Sequence, residues 1–419
     1  MSEEIILKGV TSDNYRGIGF LMSMGFEQDE DGKWNYFKTE GNHRQGRHDS
    51  HLTIEKDWGL ITDGKFNVKF GIIHIEFDCS RLGLTSLIGA PDECKSFTCN
   101  YNNIKVLDFI PKAENYNIRD CNIEKITCDF PLEGVTRLNI SDNIHLNSFK
   151  HFPSNVEQLF LNYCGFTSLE GCPEVSLYLH ITGNPISVLK GLENQTVAYL
   201  EADYCKLINL EYCPIIIMGA NFSNTSLKNL NGLKGLCAEK ILLNNCSVLE
   251  SLESDNIKIS PNTIDVSGSN IKTLEHIHST IKTLKAYNCQ NLENVYFKHD
   301  NISKFEIKLS GNKINMYTFF KLDVLKYYSD NQFDFTLGQK KVLNYHKTVS
   351  AHAGDVITEI GWDENHYYRD MFKFFQRPGT NPEDVIRDIN EITWYGNSEI
   401  LKDIRTYSKS ASSVVKFNL

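Results

Sequence analysis

From Phe77 to Asn331 the chain repeats one short pattern of apolar and polar positions. A copy reads apolar, any, apolar, two more residues, a small polar residue, then apolar positions two and five further on. Leu159, Leu161, Cys164, Phe166 and Leu169 make one copy; Leu179, Ile181, Asn184, Ile186 and Leu189 make the next. The alternating apolar pair predicts a strand of about three residues with one buried face. A fixed period near 20 residues predicts that successive strands stack in parallel, each copy covering the apolar face of its neighbours.

The polar position ending each strand aligns the copies. It is Leu82, Asn102, Cys121, Asn143, Cys164, Asn184, Cys205, Thr225, Cys246, Ser269, Cys289, Asn312 and Asn331, at spacings of 19–23 residues. Five positions before these anchors stand Phe77, Phe97, Tyr116, Leu138, Leu159, Leu179, Leu200, Ala220, Ile241, Ile264, Leu284 and Ile307, then Lys326. Lys326 breaks the apolar rule, as a terminal copy beside a cap does. An Asn anchor can pair buried backbone groups of neighbouring turns. Cys is small, tolerates burial and donates weakly; Thr and Ser serve similarly. The cysteines therefore read as packing residues. Zinc needs clustered ligands at C-x-x-C-type spacing, and thiols two turns apart would be about 10 Å from one another, too far for a disulfide.

Side chains between the buried strand positions point outward. One row is Asp78, Thr98, Asn117, Asn139, Phe160, His180, Glu201, Asn221, Leu242, Asp265, Lys285 and Lys308; a second includes Tyr101, Asp120, Asp142, Tyr163, Asp203, Tyr204, Asn244 and Tyr287. Phe160, Tyr163, His180, Glu201, Asp203 and Tyr204 fall in three consecutive copies. Stacking requires no aromatic there, and aromatics ringed by acids match the anchors and rim of a protein interface. Exposed tyrosine is also unremarkable in a chain with 19 of them.

The two ends are different. Near the start, a helix is predicted at about 12–24, capped by Ser12 or Asp13. Asp29-Glu-Asp-Gly32 separates Phe26 from Trp34-Asn-Tyr-Phe37 as a hairpin turn, and the region would cover the open edge of the first copy. Residues 41–51 hold His43, His48 and His51 with two arginines; the spacing fits no standard metal site, so a polar loop is the plainer reading. Residues 336–419 read as helical. Asn381-Pro382-Glu-Asp is a helix start, and the run Tyr367, Tyr368, Met371, Phe372, Phe374, Phe375 suits the core of a helical cap or a docking helix.

Composition narrows the function. The net charge is −10, and residues 336–419 carry 11 basic and 11 acidic groups, so the acidic excess lies in residues 1–335. That disfavours nucleic acid, which needs clustered Lys and Arg, and an anionic membrane surface; no apolar run is long enough to span a bilayer. A protein partner would be basic. All twelve cysteines lie between Cys79 and Cys289, most of them at places the repeat defines, which fits a reducing compartment. No Gly-rich phosphate loop, paired acids at motif spacing or metal-ligand set stands out, so neither enzyme activity, metal nor cofactor is expected.

The segments Phe-Asp-Cys-Ser at 77–80, Leu87-Ile-Gly-Ala-Pro91, Leu169-Glu-Gly-Cys-Pro-Glu174 and Ile61-Thr-Asp-Gly-Lys-Phe-Asn-Val68 resemble the leucine-rich-repeat proteins of tailed bacteriophages. The resemblance covers about residues 60–215. It implies an α/β solenoid, curved, with short parallel strands on its concave face. Residues 1–65 would be an α+β cap, 66–335 a run of about 12–13 repeats, and 336–419 a helical cap. It further implies a viral protein in the host bacterial cytoplasm or on the virion. The function expected is non-enzymatic binding of a host or phage protein through the concave face. The alternative is a structural virion component docked through its C-terminal segment. Bacterial effectors that join such repeats to a ubiquitin-ligase domain need a catalytic cysteine. Residues 336–419 contain none.

Overall fold

A computed structural model describes residues 8–37, 51–256, 260–274 and 281–292, and the backbone of the strand Glu306–Lys308. The chain divides into two units, residues 1–206 with 211–217, and residues 207–210 with 218–419.

The first unit opens with the helix Tyr15–Met24. It begins three residues later than the sequence suggests, because Asn14, and neither Ser12 nor Asp13, sits at its cap position. Asn14 is buried; its Oδ1 accepts the Thr11 N–H at 2.7 Å and its Nδ2 donates to the Gly9 carbonyl at 2.9 Å, fixing the turn that feeds the helix. The helix buries Gly17, Ile18 and Leu21 and ends at Gly25 in the left-handed conformation, a common helix stop. The strands Glu27–Gln28 and Lys33–Tyr36 form the predicted hairpin. Asp29 closes it by accepting the N–H groups of Asp31 and Lys33 at 3.0 and 2.8 Å. Lys33–Tyr36 and then His51–Thr53 pair with the same long strand, Lys69–Asp78, and so cover the edge of the repeat ladder. His51 is thus an exposed strand residue; His43, His48 and the rest of that loop lie outside the described residues.

The ladder of the first unit comprises Lys69–Asp78, Glu93–Thr98, Asn115–Asn117, Arg137–Asn139, Asn155–Phe160, Glu174–His180 and Thr196–Glu201, each parallel to the next. Phe77, Phe97, Tyr116, Leu138, Leu159, Leu179 and Leu200 stand opposite one another in register. The second unit repeats the arrangement: the end of Ile215–Asn221 pairs with Lys240–Leu242, followed by Thr263–Asp265, Thr283–Lys285 and Glu306–Lys308, with Ala220, Ile241, Ile264, Leu284 and Ile307 in one column. These are the columns the anchor alignment defines. Their side chains make the core together with the residues two further on. Phe77 and Phe97, both fully buried, stack with ring centroids 6.2 Å apart.

Two expectations need correction. Several strands run six or seven residues, well beyond three; Asn155–Phe160 and Glu174–His180 are examples. And the segments returning from one ladder strand to the next contain no helix among the described residues: they are turns, with one short parallel pair, Val106–Leu107 against Lys125–Ile126. The return is short and carries Pro91, Pro111, Pro153, Pro173 and Pro214 within four residues of the strand that follows. Proline there removes an N–H and blocks a helix, so each unit is a mostly-strand parallel β-solenoid. The helical reading of 336–419 and the anchors Asn312 and Asn331 lie outside the described residues.

Candidate functional site

Three rows of side chains run across the turns, and each has its own physics. The anchor row is internal. Asn143 is fully buried; its Oδ1 accepts the N–H groups of Cys121 and Ile123 at 3.1 and 2.9 Å, and its Nδ2 donates to the carbonyls of Ile118 and Ile140 at 3.0 and 2.7 Å. Asn102 makes the matching set to Leu82, Leu84 and Cys79, and Asn184 to Phe166, Leu161 and Ile181. The intervening thiols each reach one carbonyl of the preceding turn: Cys121 to Cys99, Cys164 to Ile140 and Cys205 to Ile181. In the second unit the hydroxyls of Thr225 and Ser269 donate to Phe222 and Val266, and Cys246 and Cys289 reach the same two carbonyls. Amide or hydroxyl thus alternates with thiol. Burial holds the thiols protonated: it pushes Cys94, Cys164 and Cys205 up to about 12. Cys121 is raised as well, first by its hydrogen bond with Cys99 and then by burial. Such thiols are poor nucleophiles.

Two residues before each anchor lies a polar seam absent from the sequence reading. The Ser80 hydroxyl accepts the Asn100 N–H at 2.9 Å, Asn100 Oδ1 accepts from Arg119 N at 2.9 Å, Ser141 accepts from Asn162 N at 3.2 Å, and Asn162 from Thr182 N at 3.1 Å. Asp203 belongs to this seam: its carboxylate accepts the Thr182 hydroxyl at 2.6 Å, and its carbonyl accepts the Gly183 N–H at 2.9 Å.

The residue immediately before each anchor is left-handed. In the first unit these are Arg81, Tyr101, Asp120, Asp142, Tyr163, Gly183 and Tyr204, with φ between 51° and 72°; in the second they are Asn224, Asn245, Gly268 and Asn288, again with φ between 54° and 72°. Gly, Asn and Asp suit that conformation; a bulky L-residue is strained in it. Arg81 and the three tyrosines are the exceptions. Arg81 lies with its guanidinium 4.6 Å from the Tyr101 ring centre, whereas Tyr163 and Tyr204 project outward, 49% and 57% exposed. Gly183 makes room for the first of them, since a methyl group there would overlap the Tyr163 ring.

Phe160, His180 and Glu201 are paired neighbours on the open face of the sheet. The Phe160 and His180 rings are 4.6 Å apart. Beside them lies a row the sequence reading missed: Arg137, with its guanidinium 4.6 Å from the Phe160 ring centre, and Tyr178 and Tyr199, stacked at 5.0 Å and 8°. Tyr178 also lies 6.1 Å from His180. The signal was present. Tyr178 is two residues before His180 and Tyr199 two before Glu201, so the alternation simply continues upstream in strands longer than three residues. Of the six residues proposed from sequence, Tyr163 and Tyr204 are exposed, Phe160, His180 and Glu201 are half-buried on the sheet face, and Asp203 is half-buried in the polar seam.

Among the described residues no group of three or more His, Cys, Asp and Glu side chains is placed to hold a metal ion, and no helix is long and apolar enough to cross a membrane. The fold defines a class, a parallel β-solenoid of turns of about 20 residues. No protein-family model matches the chain, and no curated protein matches it either.

Proposed function

We propose that the protein is a binding module that captures a protein partner on the open sheet face between the strands Arg137–Asn139 and Thr196–Glu201. The observation that supports this most is the pair Tyr163 and Tyr204: large rings held outward at left-handed positions where most other turns carry Asn, Asp or Gly. Backbone strain retained at a surface position is a mark of function, and exposed aromatics with few rotamers are the commonest interface anchors. Glu201 and Asp203 give the patch an acidic side, suited to a basic partner. A binding role also agrees with the thiols, which are buried and held protonated. The likeness of residues 60–215 to phage repeat proteins supports a setting inside an infected bacterium, with a host protein as target.

The test is affinity capture from bacterial lysate with the intact chain and with the double variant Tyr163→Asn/Tyr204→Asn. Asparagine accepts the left-handed backbone, so the variant loses two rings without added strain. Loss of a specific captured protein is the expected result. Equal capture by both chains would place the contact elsewhere.

A further inference from the structure

The chain contains its own example of what an aromatic ring in the left-handed row can hold. Arg81 and Tyr101 occupy that row in adjacent turns, and the guanidinium lies 4.6 Å from the ring centre. On the sheet face Arg137 covers Phe160 at the same 4.6 Å. Arginine stacked on an aromatic ring is therefore used twice within the first unit, once on an exposed ring and once on a half-buried one. Tyr163 and Tyr204 have the same backbone conformation and greater exposure than Tyr101 (49% and 57% against 43%), yet no guanidinium of the described residues stacks on either.

We infer that Tyr163 and Tyr204 are receptors for two arginine side chains of an extended partner segment, spaced three residues apart. This rests on the binding role proposed above and specifies its partner. Cation–π attraction supplies the contact to each ring. The flat guanidinium matches the ring face better than a lysine ammonium does. Asp142 is held by Arg119; the acids Glu201 and Asp203, in the turn of Tyr204, draw a cation and disfavour an acidic segment.

The spacing selects the sequence. Tyr163 and Tyr204 are two turns apart, with Gly183 between them, so their backbone positions are separated by about 10 Å at ordinary strand spacing. A polyproline II segment returns to the same face every third residue, after about 9.3 Å. An Arg-x-x-Arg segment in that conformation brings one guanidinium to each ring. The Tyr163 ring itself lies over Gly183, which has no side chain to displace it.

The experiment uses the intact chain and fluorescently labelled twelve-residue peptides built on Arg-Pro-Pro-Arg, followed by anisotropy at low and physiological salt. Companion peptides replace both arginines with lysine or with glutamine, or place the arginines adjacent. The expected result is binding of the Arg-x-x-Arg peptide, weakened several-fold by lysine or by adjacent arginines and abolished by glutamine. Tyr163→Asn/Tyr204→Asn should lower the affinity at least tenfold while its melting temperature equals or exceeds that of wild type. Peptide binding that survives the double variant, or that follows peptide charge regardless of spacing, would overturn the inference. If no peptide binds while lysate capture still depends on the two tyrosines, the arginine assignment fails and the binding face stands.

Discussion

Replacing Asn143 by Ala tests whether the anchor row holds the solenoid together through hydrogen bonds rather than through packing alone. The side chain is fully buried and serves four backbone groups, two N–H donors of the preceding turn and two carbonyls that belong to the preceding and its own turn. Each buried group left without a partner costs about 1–3 kcal/mol. The Ile140 carbonyl keeps the Cys164 thiol, so three groups at the low end give about 3 kcal/mol, which water entering the vacated space reduces a little. Cys164→Ala, one turn on, is the control. It removes one S–H···O contact of 3.5 Å and a small buried volume, worth about 1–2 kcal/mol. Urea titration followed by circular dichroism gives the two losses. Turns of a solenoid can unfold separately, so hydrogen exchange at the Cys121 and Ile123 amides should accompany the titration. Faster exchange at those two sites is expected in Asn143→Ala. A loss no larger than that of Cys164→Ala, or unchanged protection of the two amides, would refute the reasoning.

The other predictions concern backbone, core and thiols. Gly191 has φ of 107°, and a methyl group there would overlap the Leu169 carbonyl oxygen; Gly191→Ala should cost more than about 2 kcal/mol in the same urea assay. Tyr204→Asn should do the reverse, relieving left-handed strain of about 1 kcal/mol and raising the melting temperature. Leu161→Ala, at a fully buried core position, should cost about 2–5 kcal/mol. The buried thiols make stability fall at alkaline pH. Unfolded cysteine ionises near pH 8.5, whereas Cys94, Cys164 and Cys205 hold their protons to about 12. Between these values the unfolded chain has fewer bound protons than the native one, so the stability present below pH 8.5 is lost as pH rises toward 12. Melting temperatures across pH 8–11 should fall, less steeply in Cys164→Ala/Cys205→Ala; identical slopes would count against thiol burial as the cause.

The buried half of the fold was legible because burial leaves a periodic trace. Phe77, Phe97 and Leu159 could be aligned from sequence since each must be apolar, and the same residues turn out to be register partners of the columns that contain them. The anchors were legible for a related reason: only a small residue with a polar head can occupy a position that is both buried and surrounded by backbone. The missed features share a different cause. The polar seam uses Ser80, Asn100, Ser141 and Thr182, residue types equally at home on any solvated surface, so their donors and acceptors become meaningful only once strands are adjacent. The row of Arg137, Tyr178 and Tyr199 was lost by taking strands as three residues long, because apolar alternation marks only the buried side and weakens where the strand passes its core contact. The left-handed row was half visible. Asp120, Asp142, Asn224 and Asn245 spell it out, but the tyrosines mask it, because a bulky side chain does not advertise a left-handed backbone. Arg81, Tyr101, Tyr163 and Tyr204 depart from the rule that the remaining turns obey, so local backbone propensity alone could not locate this row in the sequence.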